Sequence, residues 1–200
     1  PHNLTELIDA ICAYIDNPEI AIEGLLQHVK GPDFPTGGII LGRSGIYDYF
    51  RSGRGKITIR AVVHTETKKN GRESIIVTEL PYQTNKALLL QHIADLVKNK
   101  KVEGISDLRD ESDRKGMRIV IELKRNENPE VVLNQLYKFT AMQSNFGVIN
   151  LALVKGRPQT LSMKGLISEY VNHRHEVVER RTRFLLDKAE KRAHILEGLR

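Results

Sequence analysis

The sequence lacks several things, and each absence removes a class of protein. No apolar run approaches the ~20 residues that a membrane-spanning helix requires, and no signal peptide is recognisable at the start. With one cysteine, Cys12, the chain cannot form an internal disulfide. No membrane partner is therefore expected, the cytoplasm is the expected location, and Cys12 is expected in the core of the first helix.

Most catalytic signatures are missing too. Gly55-Lys56 is followed by Ile57, and position 50 is Phe, so there is no Walker-type phosphate loop. Gly53-Arg54-Gly55 lacks the third glycine of a dinucleotide fingerprint. His175-Glu176 is followed by Glu179, where a zinc protease needs its second histidine. His173 and His175 are two apart and would point to different helix faces. Asp107, Asp110, Glu111 and Asp113 are interleaved with Arg109, Arg114 and Lys115, which reads as a self-neutralising polar turn. No metal site and no cofactor of the chain's own is expected.

One stretch lacks acid almost entirely. Residues 42–60, GRSGIYDYFRSGRGKITIR, hold four glycines and five cations (Arg43, Arg51, Arg54, Lys56 and Arg60) against the single acid Asp48. The whole chain has 31 basic and 25 acidic residues, a net charge of +6, and favours an anionic partner, most simply nucleic acid.

What is present reads as α+β: a small mixed or antiparallel sheet with flanking helices, followed by one long C-terminal helix. Asn3 and Glu6 have capping-box form, with a helix over 4–16 whose Leu4, Leu7, Ile8, Ile11 and Ile15 share a face. A short helix near 22–30 precedes the turn-rich GPDFPTGG, and 44–51 forms another helix ending at Gly53. Residues 56–64 alternate as one half-buried strand, with Lys56, Thr58 and Arg60 outward. Asn70-Gly71 is a hairpin turn into a strand over 73–80. Thr84 or Asn85 caps a helix reaching 100, with Leu88, Leu89, Ile93, Leu96 and Val97 inward. Further elements are a strand over 117–123, a helix over 129–139, a strand over 146–154 and a Gly156/Pro158 turn.

From about Met163 to Arg200 nothing breaks the helix. Leu166, Tyr170, Val177, Phe184, Leu185, Ala189, Ala193, Leu196 and Leu199 recur at three, four or seven residues. A helix of ~37 residues reaches ~55 Å, more than the rest of the chain could cover, and the charged run HRHEVVERRTR favours a projecting helix over one packed on the sheet. The division expected is an α/β domain over 1–162 and the start of a coiled coil over 163–200. Pro1-His2-Asn3 opens almost on a cap and KRAHILEGLR is still helical at the end, so the chain reads as part of something longer.

Several blocks in collinear order carry a resemblance: PHNLTE (1–6), GPDFPTGG (31–38), GRSGIYDYFRSGRGKITIRA (42–61), ELPYQTNKA (79–87), VEGISDLRDESDRKGMRIVIELKR (102–125) and KAEKRAHILEGL (188–199). The chain resembles the A subunits of bacterial type IIA topoisomerases nearly end to end. The GPDFPTGG form favours DNA gyrase over topoisomerase IV.

The resemblance implies the tower domain that flanks the DNA gate, followed by the start of the coiled coil. The partners it implies are double-stranded DNA and, in an A2B2 complex, a second A subunit together with the B subunits. It also implies an ATP-hydrolysing type II topoisomerase that bends and passes DNA, with Mg2+ and ATP supplied through the B subunits. The family's nucleophilic tyrosine directly follows an arginine. Tyr14, Tyr47, Tyr49, Tyr82, Tyr137 and Tyr170 follow Ala, Ile, Asp, Pro, Leu and Glu, so no residue matches and this chain alone is expected to be inactive. The expected phosphate contacts are Arg43, Arg51, Arg54, Lys56 and Arg60, with Gln83, Asn85 and Lys86 as weaker candidates. Two other readings remain open: a non-enzymatic nucleic-acid-binding module, and a dimerisation arm whose basic patch is incidental.

Overall fold

A computed structural model describes residues 2–68 and 71–199. The Asn70-Gly71 turn falls partly outside them; Gly71 itself has φ +75°, as a hairpin turn requires. The described residues divide into two compact units, one formed by His2 with residues 31–48 and the described part of 55–148, the other by residues 3–30, 49–54 and 149–199.

The first unit is built on a four-stranded sheet of order β3-β4-β6-β5, comprising β3 (Val62–Thr67), β4 (Glu73–Glu79), β5 (Ile105–Asp110) and β6 (Ile119–Leu123). All neighbours are antiparallel, and the register sets Ile75 opposite Ile121 and Val77 opposite Ile119. That row faces α4 (Lys86–Lys98) and α5 (Pro129–Phe139), whose Leu89, Ile93, Leu96, Val132 and Leu136 complete one aliphatic core with Ala61, Leu80 and Met142. Each fully buried Ile or Leu contributes about 1.5–3 kcal/mol by leaving water. Local signals set both helix starts: Asn85 Oδ1 accepts the Leu88 N–H, and Asn128 Oδ1 accepts the Glu130 N–H ahead of Pro129 at the first turn.

The expected strand over 56–64 is two strands. Ala61 parts β2 (Arg54–Arg60) from β3. The Ala61 N–H still bonds the Met142 carbonyl, after which the chain turns its pairing to β4 through a bulge at Val62/Val63. β2 lies instead between β1 (Ile39–Leu41) and β7 (Gln143–Ile149) in a three-stranded sheet. The strand expected over 146–154 divides likewise, at Asn150, into β7 and β8 (Leu151–Val154). The polar stretch expected from 107 is, up to Asp110, the strand β5. Leu88, expected inward, is exposed, and Leu90 packs against the core in its place.

In the second unit, α1 (Leu4–Asp16), α2 (Ile22–His28) and α6 (Met163–Gly198) pack together. Asn3 Oδ1 accepts the Thr5 and Glu6 N–H groups at the start of α1. Cys12 is exposed rather than in the core, as are Leu4, Ile8 and Ile15, because the only fully buried position of α1 is Ala10. β8 pairs with β9 (Arg157–Thr160) through a two-residue turn in which Lys155 and Gly156 have φ +49° and +78°. Every described residue of α6 from Val178 onward is exposed.

Candidate nucleic-acid interface

Arg43 opens α3 (Ser44–Ser52): its carbonyl accepts the Ile46 and Tyr47 N–H groups. A cation is unfavourable at a helix N-terminus, where the macrodipole is already positive. Arg43 therefore does nothing for its own helix, and the two positive features add up in favour of an anion. Two residues on, the position a Gly45 Cβ would occupy lies 2.0 Å from the Lys56 carbonyl oxygen. Only the missing side chain lets α3 rest on β2 there, which brings the start of the helix to the strand that carries Lys56.

Along β2, Ile57 and Ile59 are buried, while Lys56, Thr58 and Arg60 turn to the other face. That face is tied to β7 by two side-chain rungs. Thr58 Oγ1 lies 2.8 Å from Asn145 Oδ1, and Arg60 Nε donates to Gln143 Oε1 at 2.5 Å. The Arg60 guanidinium also lies over the Tyr137 ring, 4.6 Å from its centroid. Burial pushes the Tyr137 phenol pKa up, and the Arg60 charge pulls it the other way. None of the strands β1, β2 and β7 contains an acidic residue.

Gln83 and Asn85 line a cleft of about 420 Å³ together with Asn145 and Phe146, so they border the same polar rungs. Gln83 has φ +65° at the third position of the Pro81–Thr84 turn, a place that favours Gly or Asn. Tyr82 holds the turn down, with ring centroids 5.4 Å from Phe34 and 5.8 Å from Phe146. The Asn85 side chain is engaged as the cap of α4. Lys86 pairs with Asp110 at 2.7 Å, and that bond is the main cause holding the Asp110 carboxyl down at about 2.

Arg51 and Arg54 belong to the second unit. Arg51 pairs with Glu23 at 3.0 Å, both side chains 62% exposed. Such a pair contributes at most about 1 kcal/mol and is readily exchanged for another anion. Ser52 Oγ donates to the Arg54 carbonyl and accepts the Arg54 N–H, fixing the backbone while leaving the side chain exposed. Among the described residues, no carboxylate pairs with Arg43, Arg54, Lys56 or Arg60.

Two cations on the four-stranded sheet of the first unit are, by contrast, multiply paired, while Lys98, Lys100, Lys101, Arg114, Lys115, Lys124, Arg125 and Lys138 have no carboxylate partner among the described residues. Arg109 bonds Asp107, Glu111 and Glu122, and Arg118 bonds Glu66 and Glu111. Among the described residues, no group of three or more His, Cys, Asp or Glu side chains could hold a metal ion. No helix among them is long and apolar enough to cross a membrane.

Sequence reasoning missed Tyr137, Gln143 and Asn145 as partners of this face. Gln143 and Asn145 precede the strand expected at 146, and Tyr137 reads as an ordinary helix position. The outward alternation of Gln143 and Asn145 was the available signal.

The sequence matches known proteins over its whole length. The family model for the DNA gyrase/topoisomerase IV A subunit covers residues 1–200. The DNA gyrase A subunit of Salmonella typhimurium is 59% identical over 200 residues, that of Escherichia coli K12 58%, and that of Clostridium acetobutylicum 56%. Each alignment covers 100% of this chain, but only 23%, 23% and 24% of the respective relative. The chain thus spans about a quarter of the length of these relatives. With a match that runs from the first residue to the last, the chain belongs to the A-subunit family of DNA gyrase and topoisomerase IV.

Proposed function

We propose that this chain is the DNA-supporting part of a gyrase A subunit, holding the arms of the gate duplex by their phosphates while another part of the protein cuts. The observation that carries the reading is the clustering of cations on and beside strands that contain no acidic residue, where no carboxylate of the described residues pairs with them. Arg43, Lys56 and Arg60 lie in one unit on an acid-free sheet and the helix start against it, in a chain that neutralises Arg109 and Arg118 several times over. Phosphate contacts of this kind position a duplex without reading its sequence. Drawing the arms down would bend the DNA, with the deformation offset by the added contacts. In the second unit, Arg54 and Arg51 would be phosphate contacts of their own, and in the first Gln83 and Asn85 would add neutral donors.

The wider setting follows from the family. The chain would work in an A2B2 complex in the cytoplasm, with ATP and Mg2+ bound through the B subunits and none of this chain's residues assigned to them. It holds no tyrosine in the family's nucleophile context, so it would neither cleave nor reseal DNA by itself. The exposed apolar residues of α6 would pack on an antiparallel helix of the stalk, coupling the DNA gate to the exit gate.

The test is salt-dependent binding of a ~30 base-pair duplex. Replacing Arg43, Lys56 and Arg60 together by Gln should reduce the slope of log K against log salt by about 2.7, at about 0.9 per contact. An unchanged slope overturns the reading. In a full-length relative, the E. coli protein with its B partner, the equivalent changes should abolish supercoiling at ordinary DNA concentration. Persistence of both supercoiling and relaxation would equally count against it.

A further inference from the structure

We infer that Tyr137 and Gln143 are positioning residues that hold the Arg60 guanidinium in a fixed pose, its terminal edge turned to a single DNA phosphate. The inference rests on the DNA-supporting reading above and deepens it. An arginine on a strand face ordinarily samples many rotamers, and ordering it on binding opposes affinity. Arg60 is already held at two points. Its Nε is occupied by Gln143 Oε1 at 2.5 Å, and its plane is covered by the Tyr137 ring at 4.6 Å. What remains is the edge formed by Nη1 and Nη2, the fork that matches two oxygens of a phosphodiester. Among the described residues no carboxylate competes for that edge.

The holding groups are themselves anchored. Tyr137 follows the fully buried Leu136 on α5. Gln143 follows Met142, whose carbonyl accepts the Ala61 N–H next to Arg60 itself. The adjoining Thr58–Asn145 rung keeps β2 and β7 in step on the same face. The pose is thus set by backbone pairing and core packing, and not by the ligand.

The experiment measures duplex affinity of the chain across a salt series, with thermal unfolding of each variant as a parallel readout. Arg60→Gln should weaken binding about fivefold and lower the salt slope by about 0.9. Tyr137→Leu and Gln143→Met keep the charge of Arg60, so a freely moving arginine would bind as before. Each is expected to weaken binding about threefold, consistent with an ordering penalty on one side chain. Combined with Arg60→Gln, neither should weaken binding further. Tyr137→Phe, which keeps the ring, should restore affinity. A packing role alone would lower the unfolding temperature without this non-additivity. Wild-type affinity in both Tyr137→Leu and Gln143→Met, with Arg43→Gln and Lys56→Gln still weakened, overturns the positioning role alone. Full affinity in Arg43→Gln and Lys56→Gln brings down the interface and this inference together. Should Tyr137→Leu fail to fold, Gln143→Met decides.

Discussion

The carboxylate of Glu79, at the end of β4, accepts the backbone N–H of Gly38 at 2.6 Å, fixing the GPDFPTGG loop to a strand 41 residues further along the chain. The loop leads directly into β1, the edge strand beside β2, so this contact sets where that edge begins. Glu79→Ala should destabilise the chain by about 1.5–3 kcal/mol, the usual worth of a charge-assisted hydrogen bond. Urea unfolding measures it. A loss under about 0.5 kcal/mol would mean that the aromatic contacts of Phe34 suffice to hold the loop.

Gly45→Ala tests the seat of α3 on β2. The added methyl would lie 2.0 Å from the Lys56 carbonyl oxygen and 2.8 Å from its carbon, both rigid backbone. Overpacking of this kind costs about 1–3 kcal/mol. Because relief requires moving either Arg43 or Lys56, duplex affinity should fall as well. A variant with unchanged stability and unchanged binding would contradict the close approach.

The pH dependence should be visible on the outer face of the four-stranded sheet. Hydrogen bonds from Arg118, and then from His64, bring the Glu66 carboxyl down from 4.5 to about 2. A carboxylate depressed in the folded state contributes stability above its ordinary pKa and loses it as pH falls, here between 4.5 and about 2. Arg118→Gln should therefore be less stable than the parent at neutral pH, with the gap closing across that interval. Because Glu66 and Arg118 are exposed, a salt concentration of about 1 M should also narrow the gap. Equal stability of both proteins at every pH would remove the pair from consideration.

The bare surface of α6 makes a prediction of its own. Phe184 is 66% exposed and Ile195 62% exposed, with Leu185, Leu196 and Leu199 also open. In isolation the chain should self-associate with rising concentration, and Phe184→Ser with Leu185→Ser should return it to monomer in sedimentation equilibrium. A parent chain that stays monomeric at high micromolar concentration would show that its charged neighbours keep these residues apart.

How much of this was legible depends on whether the governing signal was local. The bounds of α1 and α5 could be read because Asn3, Asn128 and Pro129 act within a turn of the helix start. The breaks at Ala61 and Asn150 could not, since alternation runs on in phase while the hydrogen-bonding partner changes. β5 was hidden because its outward Asp107 and Arg109 look like loop residues until Glu122, on the neighbouring strand, is set beside them. The cationic cluster was visible by composition alone. Its pairing state was not: Arg51 finds Glu23 and Lys86 finds Asp110 across intervals that no short motif spans.

The seam at Ala61 has a mechanical consequence. Arg60 closes one strand and Val62 opens the next, so a pull on the Arg60 side chain passes through a single buried residue into β3. β3 is bonded along its length to β4, and that pairing carries the pull in shear, stretching its hydrogen bonds together rather than peeling them off one by one. Any load applied at Arg60 would thus be resisted by a whole strand and not by one side chain.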